Sequence, residues 1–328
     1  MIRIAQIGIS DYNHGKQIWT TLNSNPDVFE VVGFALPENE RLLSQRAEVF
    51  NGFRELTLEQ ILNDPTITAV TIETEEKHLN KYAIMAAKAG KHIHMEKPGS
   101  QNLAEFEEII GTARKNNTVF HTGYMYRYNP YVIELLNRIK NGEFGEILSV
   151  EAQMSCYHKP ALRKWLEGYK GGSLYYLGCH LIDLIMLIQG KPKNIIPLNK
   201  RTGIDDINAD DNGFVVLEYK KGVSFAKVCS HERGGYYRRS LVVTGEKANA
   251  VLLPLEAGNE SEMTTTLNYC NANSFGAKGE ISVSEPFDRY KTMMRSFAEY
   301  ASGVKDNPFT LDYELEVYKT ILKCCEVI

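Results

Sequence analysis

The chain lacks the features that mark several large classes of protein. None of its apolar stretches is long enough to cross a bilayer as a helix, so we expect no membrane partner. The formal net charge is −4, and the chain has no dense cluster of lysine and arginine. Both features argue against a nucleic-acid partner. Its six cysteines have no paired spacing of the metal-binding kind, so we expect no metal.

The remaining bulk properties are those of an ordinary globular protein. A length of 328 residues allows two domains, and apolar residues make up 43% of the chain. The first eight residues read as a strand, without the basic and apolar segments of a signal peptide. With cysteines that suit reduced thiols, this composition predicts a cytoplasmic protein.

The first 122 residues alternate between strand and helix patterns, which predicts an α/β fold. Continuous apolar strands separated by helices indicate a doubly wound parallel sheet of the Rossmann type, with ligands beyond the carboxyl ends of the strands. We predict strands at 2–9, 29–36, 69–73, 92–95 and 119–121. We predict helices at 14–23, 41–49, 57–63, 78–89 and 103–116.

A different pattern begins at residue 123 and predicts a second α/β domain over 123–328. A helix at 130–141 precedes several alternating strands joined by turn sequences, which indicates a large, mostly antiparallel open sheet. Helices are predicted at 288–302 and 312–327, within this second domain. The polar segment 256–285 is predicted to be a mobile loop.

The loop after the first strand departs from the glycine-rich dinucleotide motif. Only Gly8 is in place, because Ser10 and Asn13 stand where the motif has its other two glycines. Asp11 adds a negative charge near the expected pyrophosphate, although the loop amides and helix dipole remain. The loop therefore fits either an altered, working nucleotide site or a vestigial one.

The end of the second strand also lacks its usual acid. Leu36 occupies the place of the aspartate or glutamate that holds the adenosine ribose. Glu38 or Arg41, from the loop that follows, are the residues that can substitute for it.

Two segments that follow central strands place polar groups at the ligand edge of the sheet. Thr74 is predicted to cap a helix that His78 begins, and a cap there lies beside the nucleotide. Glu96, Lys97 and Pro98 follow the strand at 92–95, and Pro98 keeps Lys97 extended. A lysine there can stabilise a developing alkoxide, whereas an isolated strand-end lysine is usually only solvated.

A helix in the second half carries a histidine suited to general-base catalysis. It follows Gly171-Gly172, with Ser173 as a plausible N-cap, and carries Tyr176, His180 and Asp183 on one face. His180 can take the proton of a hydroxyl that becomes a carbonyl. The alternative is a buried histidine that only packs at a domain interface.

An aromatic and basic cluster precedes the helix at 130–141. Tyr126 and Arg127 can line a sugar or polyol pocket, or can simply pack at a helix entry at Pro130. Trp165 lies in the segment before the helix of His180 and is a further candidate to face substrate.

Together these motifs resemble the Gfo/Idh/MocA oxidoreductase family, which includes glucose–fructose oxidoreductase and inositol dehydrogenases. The similarity rests on segments along nearly the whole chain: 74–78, 96–98, 126–130, 142–147, and 171–172 leading to His180 and Asp183. It implies bound NAD or NADP, a homo-oligomer (dimer or tetramer) formed through the C-terminal sheet, Lys97 as catalytic lysine and His180 as base.

The resemblance implies cofactor contacts at the loop and strand-end positions and substrate contacts in the second domain. The cofactor positions are Gly8, Ser10, Asn13, Thr74, His78, Glu96 and Lys97, and the substrate positions are Arg127, Tyr126, Trp165 and Asp183. Tyr176, which we count among the catalytic candidates, stands where many members have an aspartate.

Two main functions follow from this comparison. The first is an NAD(P)-dependent oxidoreductase that transfers a hydride from a secondary hydroxyl of a small molecule, namely a sugar, polyol or related compound. The second is a ligand-binding or regulatory protein on the same fold, which Ser10, Asn13, Leu36 and Tyr176 favour because they alter cofactor or catalytic positions. A glycoside-cleaving relative that uses NAD transiently is a minor third alternative.

Overall fold

The computed structural model describes residues 1–259 and 261–328. It forms two compact units, Met1–Tyr124 with Tyr290–Tyr318, and Met125–Arg289 with Lys319–Ile328. Among the described residues, no helix has both the length and the apolar character needed to cross a membrane.

The first unit is built on a parallel sheet. Its strands and helices, in chain order, are β1 Ile2–Ile7, α1 Gly15–Asn23, β2 Phe29–Ala35, α2 Glu40–Leu43, α3 Leu58–Asn63, β3 Ala69–Ile72, α4 Leu79–Lys88, β4 His92–Met95, α5 Leu103–Asn116 and β5 Phe120–Thr122. The strand order β2-β1-β3-β4-β5 puts the switch point between β1 and β3, where ligands of open parallel sheets bind.

Local sequence explains where several helices begin and end. The Thr57 side chain and the Gln60 side chain form a capping box at the start of α3. At α5, the Asn102 side chain accepts from Glu105 N, and Asn117 in the left-handed conformation ends the helix. The predicted helix at 41–49 is replaced by the short α2 and a 3-10 turn at Gln45–Phe50.

The second unit carries the large sheet. Its elements are α6 Pro130–Lys140, β6 Ile147–Gln153, α7 Pro160–Trp165, α8 Cys179–Gln189, β7 Asn194–Lys200, β8 Asn212–Glu218, β9 Val223–Cys229, β10 Ser240–Gly245, β11 Asn249–Leu252, β12 Ala257–Asn259, β13 Glu262–Thr264, β14 Thr266–Cys270 and β15 Glu280–Val283. The sheet has the order β15-β14-β11-β10-β6-β9-β8-β7, and its neighbouring strands are antiparallel except for β6 and β9. The predicted fold class is therefore confirmed.

One face of this large sheet is packed and the other is open. Helix α8 packs against β6 and β9, and the strand residues on that side, such as Val215 and Ala226, are buried. The opposite side of β7, β8 and β9 is half-buried or exposed.

The segment 256–285, predicted to be a mobile loop apart from a strand at 264–268, contributes strands β12 to β15, and β14 overlaps the predicted strand. Residue 260 of that segment lies outside the described residues. Strand β14 is anchored because it pairs with β11 on one side and β15 on the other. Polar composition misled the prediction, since strands with an exposed face tolerate polar residues on that face.

The C-terminal helices are α9 Lys291–Ala301 and α10 Leu311–Cys324. The sequence predicts that both belong to the second domain, which begins at residue 123. Most of this segment belongs to the first unit, where Arg295 contacts Asp27 at 2.8 Å and the Tyr318 ring stacks on Phe106. The Thr122 hydroxyl also donates to Glu314 at 3.0 Å. The local sequence pattern does not indicate that the chain returns to its first unit.

Candidate active site

A crevice of about 250 Å³ lies beyond the carboxyl ends of the first three strands of the first unit. Gly8, immediately after β1, has φ +81°, and an added β-carbon would collide with the Thr74 side chain. A glycine is therefore required at the first motif position. The crevice is lined by Ile9, Ser10, Asp11, Tyr12, Glu38, Glu40, Leu43, Ser44, Glu75, Lys77 and His78.

Side chains hold the loop in place of the two missing glycines. The Asn13 amide donates to the carbonyls of Glu73 at 2.8 Å and Thr74 at 2.9 Å, and its oxygen accepts from Gly15 N. The Ser10 hydroxyl accepts from Tyr12 N at 3.2 Å. The structure thus gives both residues a role within the loop, and their contact with a cofactor stays a prediction.

The carboxylate of Asp11 is compensated within the protein. It accepts the Ser44 hydroxyl at 2.6 Å and Arg46 N at 3.3 Å. The Arg46 guanidinium in turn donates to the carbonyl of Asn13. These donors reduce the repulsion that the sequence predicts between Asp11 and a pyrophosphate, because they stabilise its charge locally.

Glu38, one of the two candidate substitutes for the missing acid of β2, lines the crevice. Its Oε1 accepts the Tyr82 hydroxyl at 2.5 Å and the Lys81 ammonium at 2.8 Å, and lies 3.7 Å from His78 Nδ1. Burial tends to raise the pKa of Glu38, but these hydrogen bonds and charges outweigh it and hold the pKa below its usual value. Glu38 is therefore an ionised group in the crevice.

Arg41, the other candidate substitute, is used elsewhere. It pairs with Glu55 at 2.7 Å and lies over the Phe34 ring. It is not among the residues that line the crevice.

These features fit the adenosine half of a dinucleotide. The crevice stands at the switch point, the glycine required for close approach is present, and an ionised acid is available for ribose hydroxyls. Helix α1 begins at Gly15, beside the loop, so its amides and dipole favour a phosphate there.

The turn from Thr74 to His78 differs from its prediction. Thr74 does not cap a helix, because the chain forms a 3-10 turn at Glu76–His78 with Glu75 before it, and His78 precedes α4. The Thr74 side chain instead packs against Gly8, and both Thr74 and Glu76 are buried. His78 lines the crevice, as a cofactor position should.

Glu96 and Lys97 lie at the carboxyl end of β4 and are only 2% and 1% exposed. Glu96 Oε1 accepts Lys97 N at 2.9 Å and lies 3.8 Å from Lys97 Nζ. Glu96 Oε2 accepts His14 N at 3.0 Å and lies 2.9 Å from His14 Nδ1. The sequence did not reveal His14, which stands 82 residues earlier in the chain.

The Glu96 carboxylate stays ionised despite its burial. Burial alone would raise the pKa of Glu96, but the positive charges of His14 and Lys97 and the hydrogen bonds from His14 hold it well below its usual range. The carboxylate is therefore the acceptor in its contact with His14, and Nδ1 is the donor.

Two other buried acids of the same sheet edge behave in the opposite way. Glu73 and Glu76 are 0% exposed, and their carboxyl oxygens have no hydrogen-bond partner among the described residues. Burial raises the pKa of Glu76 to about 8, although the charge of Lys97 opposes the rise. Burial and the neighbouring acids raise the pKa of Glu73 well above its usual value. Burial therefore favours the protonated, neutral form of both acids.

In the second unit, His180 lies one residue into α8 and is 2% exposed. A π-helical turn at Leu174–Gly178 leads into the helix, and such turns are frequent at functional sites. Gly172 before it has φ +37°, and a β-carbon there would collide with the carbonyl of Asp210. Ser173 precedes this turn but does not cap it, because its hydroxyl bonds to that of Ser230 at 2.5 Å.

Tyr126 joins His180 to a buried charged group. The two rings meet edge to face with centroids 5.2 Å apart, and the Tyr126 hydroxyl donates to Glu256 at 2.6 Å. Glu256 also pairs with Arg239 and Arg289, each at 2.7 Å. Tyr126 is thus fixed by its hydroxyl and presents its ring to the histidine.

Arg127 and Asp183 form a buried bidentate pair. Arg127 donates from Nε to both carboxylate oxygens, at 3.1 and 3.0 Å, and from a terminal nitrogen at 2.7 Å. The arginine side chain is 0% exposed and that of the aspartate 1%. The pair ties the segment before α6 to α8, and its predicted role in substrate binding stays a prediction.

Tyr176 lies in an aromatic cluster of the second unit. Its ring is 5.6 Å from that of Trp165 and 5.8 Å from that of His158. The structure therefore brings two predicted residues together, Tyr176 and Trp165, and adds His158, which the sequence did not single out. Within residues 1–259 and 261–328, no group of His, Cys, Asp and Glu side chains is placed to hold a metal ion.

Two family matches cover most of the chain. The oxidoreductase family with an NAD-binding Rossmann fold, GFO_IDH_MocA, matches residues 2–124, and the GFO/IDH/MocA C-terminal domain matches residues 132–251. The family that the sequence motifs resemble is therefore confirmed.

Relatives and solved structures agree with these matches. Trans-1,2-dihydrobenzene-1,2-diol dehydrogenase of Bos taurus is 28% identical over 201 residues, which span 60% of this chain but only 57% of that enzyme. A 3-ketoreductase of Actinomadura kijaniata, solved with NADP, has a TM-score of 0.80 at 18% identity and covers 98% of this chain and 95% of its own. A levoglucosan dehydrogenase, solved with NADH and levoglucosan, has a TM-score of 0.79 at 19% identity, with coverages of 99% and 97%.

The buried acid Glu76 gives a testable stability prediction. Its pKa in the folded state, about 8, lies above that of the unfolded chain, so its contribution to stability is full below about pH 4 and is lost as pH rises through 8. Glu76→Gln removes this loss while keeping the shape. We expect the melting temperature of the variant, relative to the wild type, to rise between about pH 5 and pH 8 and to level off above pH 8, as measured by calorimetry.

Glu75→Gln is the matched control, because Glu75 lies in the same turn but is only half-buried. A difference between the Glu76→Gln variant and the wild type that stays constant with pH would contradict the assignment of Glu76 as a neutral acid.

Proposed function

Because this chain belongs to the Gfo/Idh/MocA family of NAD-binding oxidoreductases, we propose that it is a dehydrogenase acting on a secondary hydroxyl of a sugar, polyol or related compound. The observation that supports this most is the Lys97 amine at the carboxyl end of β4, paired with an ionised Glu96 in a buried setting. The enzymatic names of the relatives point to the same class of substrate.

The roles of the chain's residues follow from their chemistry. Lys97 donates a hydrogen bond to the substrate oxygen and stabilises the charge that develops on it. His180 accepts the hydroxyl proton as the C–H bond breaks. The nicotinamide, when bound, supplies the carbon that accepts the hydride. The Tyr126 ring packs edge to face on His180, and we assign the aromatic pair of Tyr176 and Trp165 to the substrate side.

We further propose a cytoplasmic, homo-oligomeric enzyme. None of the six cysteines, all of which are described, forms a disulfide, as suits a reducing compartment. The open face of the large sheet carries an apolar patch of neighbouring strand residues, which we call the open-face patch: Ile196, Leu198, Phe214, Val216 and Phe225. A patch of this kind favours a second copy of the chain as its occupant.

The proposed roles of Lys97 and His180 can be tested by substitution. Lys97→Met and His180→Asn should each lower kcat/KM by about 10²- to 10⁴-fold, because each removes a group that acts on the substrate oxygen or its proton. Turnover is followed by nucleotide absorbance with a panel of cyclic polyols and sugars, each with NAD and NADP.

Lys91→Met and His231→Asn are the matched controls. Lys91 is buried at the other end of β4, where it donates to backbone carbonyls, and His231 pairs with Tyr157 outside α8. Turnover by Lys97→Met or His180→Asn within a few-fold of the wild type would refute the roles. Failure of all four nucleotides to raise the melting temperature at millimolar concentration would favour the ligand-binding alternative.

Charge in the crevice predicts a preference for NAD over NADP. Of the four acids that line it, Glu38 is ionised, whereas Glu75 is paired with Lys77 at 3.0 Å and burial raises the pKa of Glu40. Like charges repel by about 1 kcal/mol at 4 Å in water and about 4 kcal/mol near a protein surface. Ionised Glu38 should therefore disfavour a 2′-phosphate, and Glu38→Gln should reduce the ratio of NADPH to NADH dissociation constants at least about tenfold.

Fluorescence titration of both reduced nucleotides measures that ratio. Glu55→Gln is the matched control, since it also removes one negative charge but lies outside the crevice, paired with Arg41. A ratio that Glu38→Gln leaves unchanged would show that Glu38 does not select the cofactor.

The open-face patch predicts the effect of a charge on assembly. Leu198 is 46% exposed, so Leu198→Glu should leave the monomer folded yet separate the subunits, because a buried unpaired carboxylate is costly at an interface. Light scattering after size exclusion should show an oligomer for the wild type and a monomer for the variant. Leu42→Glu, at an 88% exposed site away from the sheet, should leave the oligomer intact. A monomeric wild type would contradict the proposal.

A further inference from the structure

We propose that His14 is a positioning residue for Lys97: through the buried Glu96 carboxylate, it links the nucleotide loop to the lysine of the proposed reaction. The inference rests on the proposed function of Lys97 and adds a residue that neither the sequence motifs nor the family matches assign.

Each oxygen of the Glu96 carboxylate faces a different residue. The two oxygens of Glu96 have separate partners: Oε1 faces Lys97, at 2.9 Å from N and 3.8 Å from Nζ, and Oε2 faces His14, at 3.0 Å from N and 2.9 Å from Nδ1. Rotation of the carboxylate would break contacts on both sides at once. The imidazole therefore fixes the orientation of the oxygen that faces the lysine.

Burial makes Glu96 depend on donors from the protein. Glu96 and Lys97 are shielded from water, whereas the His14 side chain is 21% exposed. Water therefore cannot readily replace a lost donor at Glu96, and an ionised carboxylate deprived of one becomes less favourable or shifts its position. His14 thus contributes more than a surface histidine would.

The other titratable groups around this contact do not provide a substitute. Burial raises the pKa of Glu73, at the end of β3, and of Glu76, in the following turn, which favours the neutral form of each acid. Burial lowers the pKa of His94 to about 4, and its Nδ1 faces that of His121 at 2.7 Å. The Tyr290 ring packs beside His14, with centroids 5.5 Å apart. Glu96, whose pKa is held well below its usual range, is an ionised acid that faces Lys97.

His14 also lies at the junction of the nucleotide loop and helix α1. It is the residue immediately before α1, at the end of the loop that begins with Gly8. A phosphate at the start of α1 would be bound by neighbouring amides. Because the same residue holds Glu96, a change at the loop is transmitted to Lys97 through one carboxylate.

The test compares His14→Ala with His14→Gln, which restores a side-chain donor without an ionisable group. We expect His14→Ala to lower kcat by about 10- to 100-fold with KM for the substrate changed by less than about threefold, as expected for a displaced catalytic group. His14→Gln should recover most of the loss. His92→Ala and His92→Gln are matched controls, because His92 lies at the amino end of β4 and accepts from Val119 N.

A second readout uses nucleotide-free protein labelled with ¹³C at the lysine Cε. The Lys97 signal is identified by its loss in Lys97→Met, and it should move in His14→Ala, return toward its original position in His14→Gln, and stay in place in the His92 variants. A kcat within twofold of the wild type in His14→Ala, or a Lys97 signal that does not move, would overturn the inference. Full turnover by Lys97→Met would instead refute the proposed function itself.

Discussion

The ionised carboxylate of Glu96, buried at the carboxyl end of β4, is the constraint on which the candidate site depends. An unpaired charge at 2% exposure would cost several kcal/mol, so the carboxylate needs donors. It receives them from two backbone amides and one imidazole, with the Lys97 amine close by. These donors come from the nucleotide loop and from the strand end, so satisfying one charge fixes both segments relative to each other within the first unit.

Three carboxyl groups lie at this sheet edge, and they avoid an unpaired buried charge in two different ways. Glu96 is ionised because it has donors, whereas burial raises the pKa of Glu73 and Glu76, whose carboxyl oxygens have no hydrogen-bond partner among the described residues. Three negative charges together would repel each other in a low dielectric. The arrangement places the ionised Glu96 carboxylate 3.8 Å from the Lys97 amine.

Several features of the fold and of the candidate site could be predicted from the sequence, because they depend on short local segments. The strand-end placement of Lys97, the requirement for Gly8 and the helix entry at Pro130 follow from short segments, and the structure agrees with each. The remainder depends on residues far apart in the chain. The contact of His14 with Glu96, the compensation of Asp11 by Ser44 and Arg46, and the return of α9 to the first unit are all long-range.

Burial also fixes the side-chain contacts of several residues that the sequence left open, while their roles in binding stay predictions. Arg127 and Asp183 have the chemistry of a ligand-binding pair, but their side chains bind each other bidentately with almost no exposure. Thr74 has the chemistry of a helix cap, but it packs against Gly8 instead.

The altered loop shows how a nucleotide motif can change without loss of its fold. Glycines in this motif permit close approach, but the loop also needs its backbone groups satisfied. Here the Asn13 side chain bonds to the carbonyls after β3, and Ser10 closes the turn at Tyr12. The loop therefore exchanges backbone freedom for side-chain hydrogen bonds. The requirement that survives is Gly8, since no side-chain contact can replace the space that its missing β-carbon leaves for Thr74.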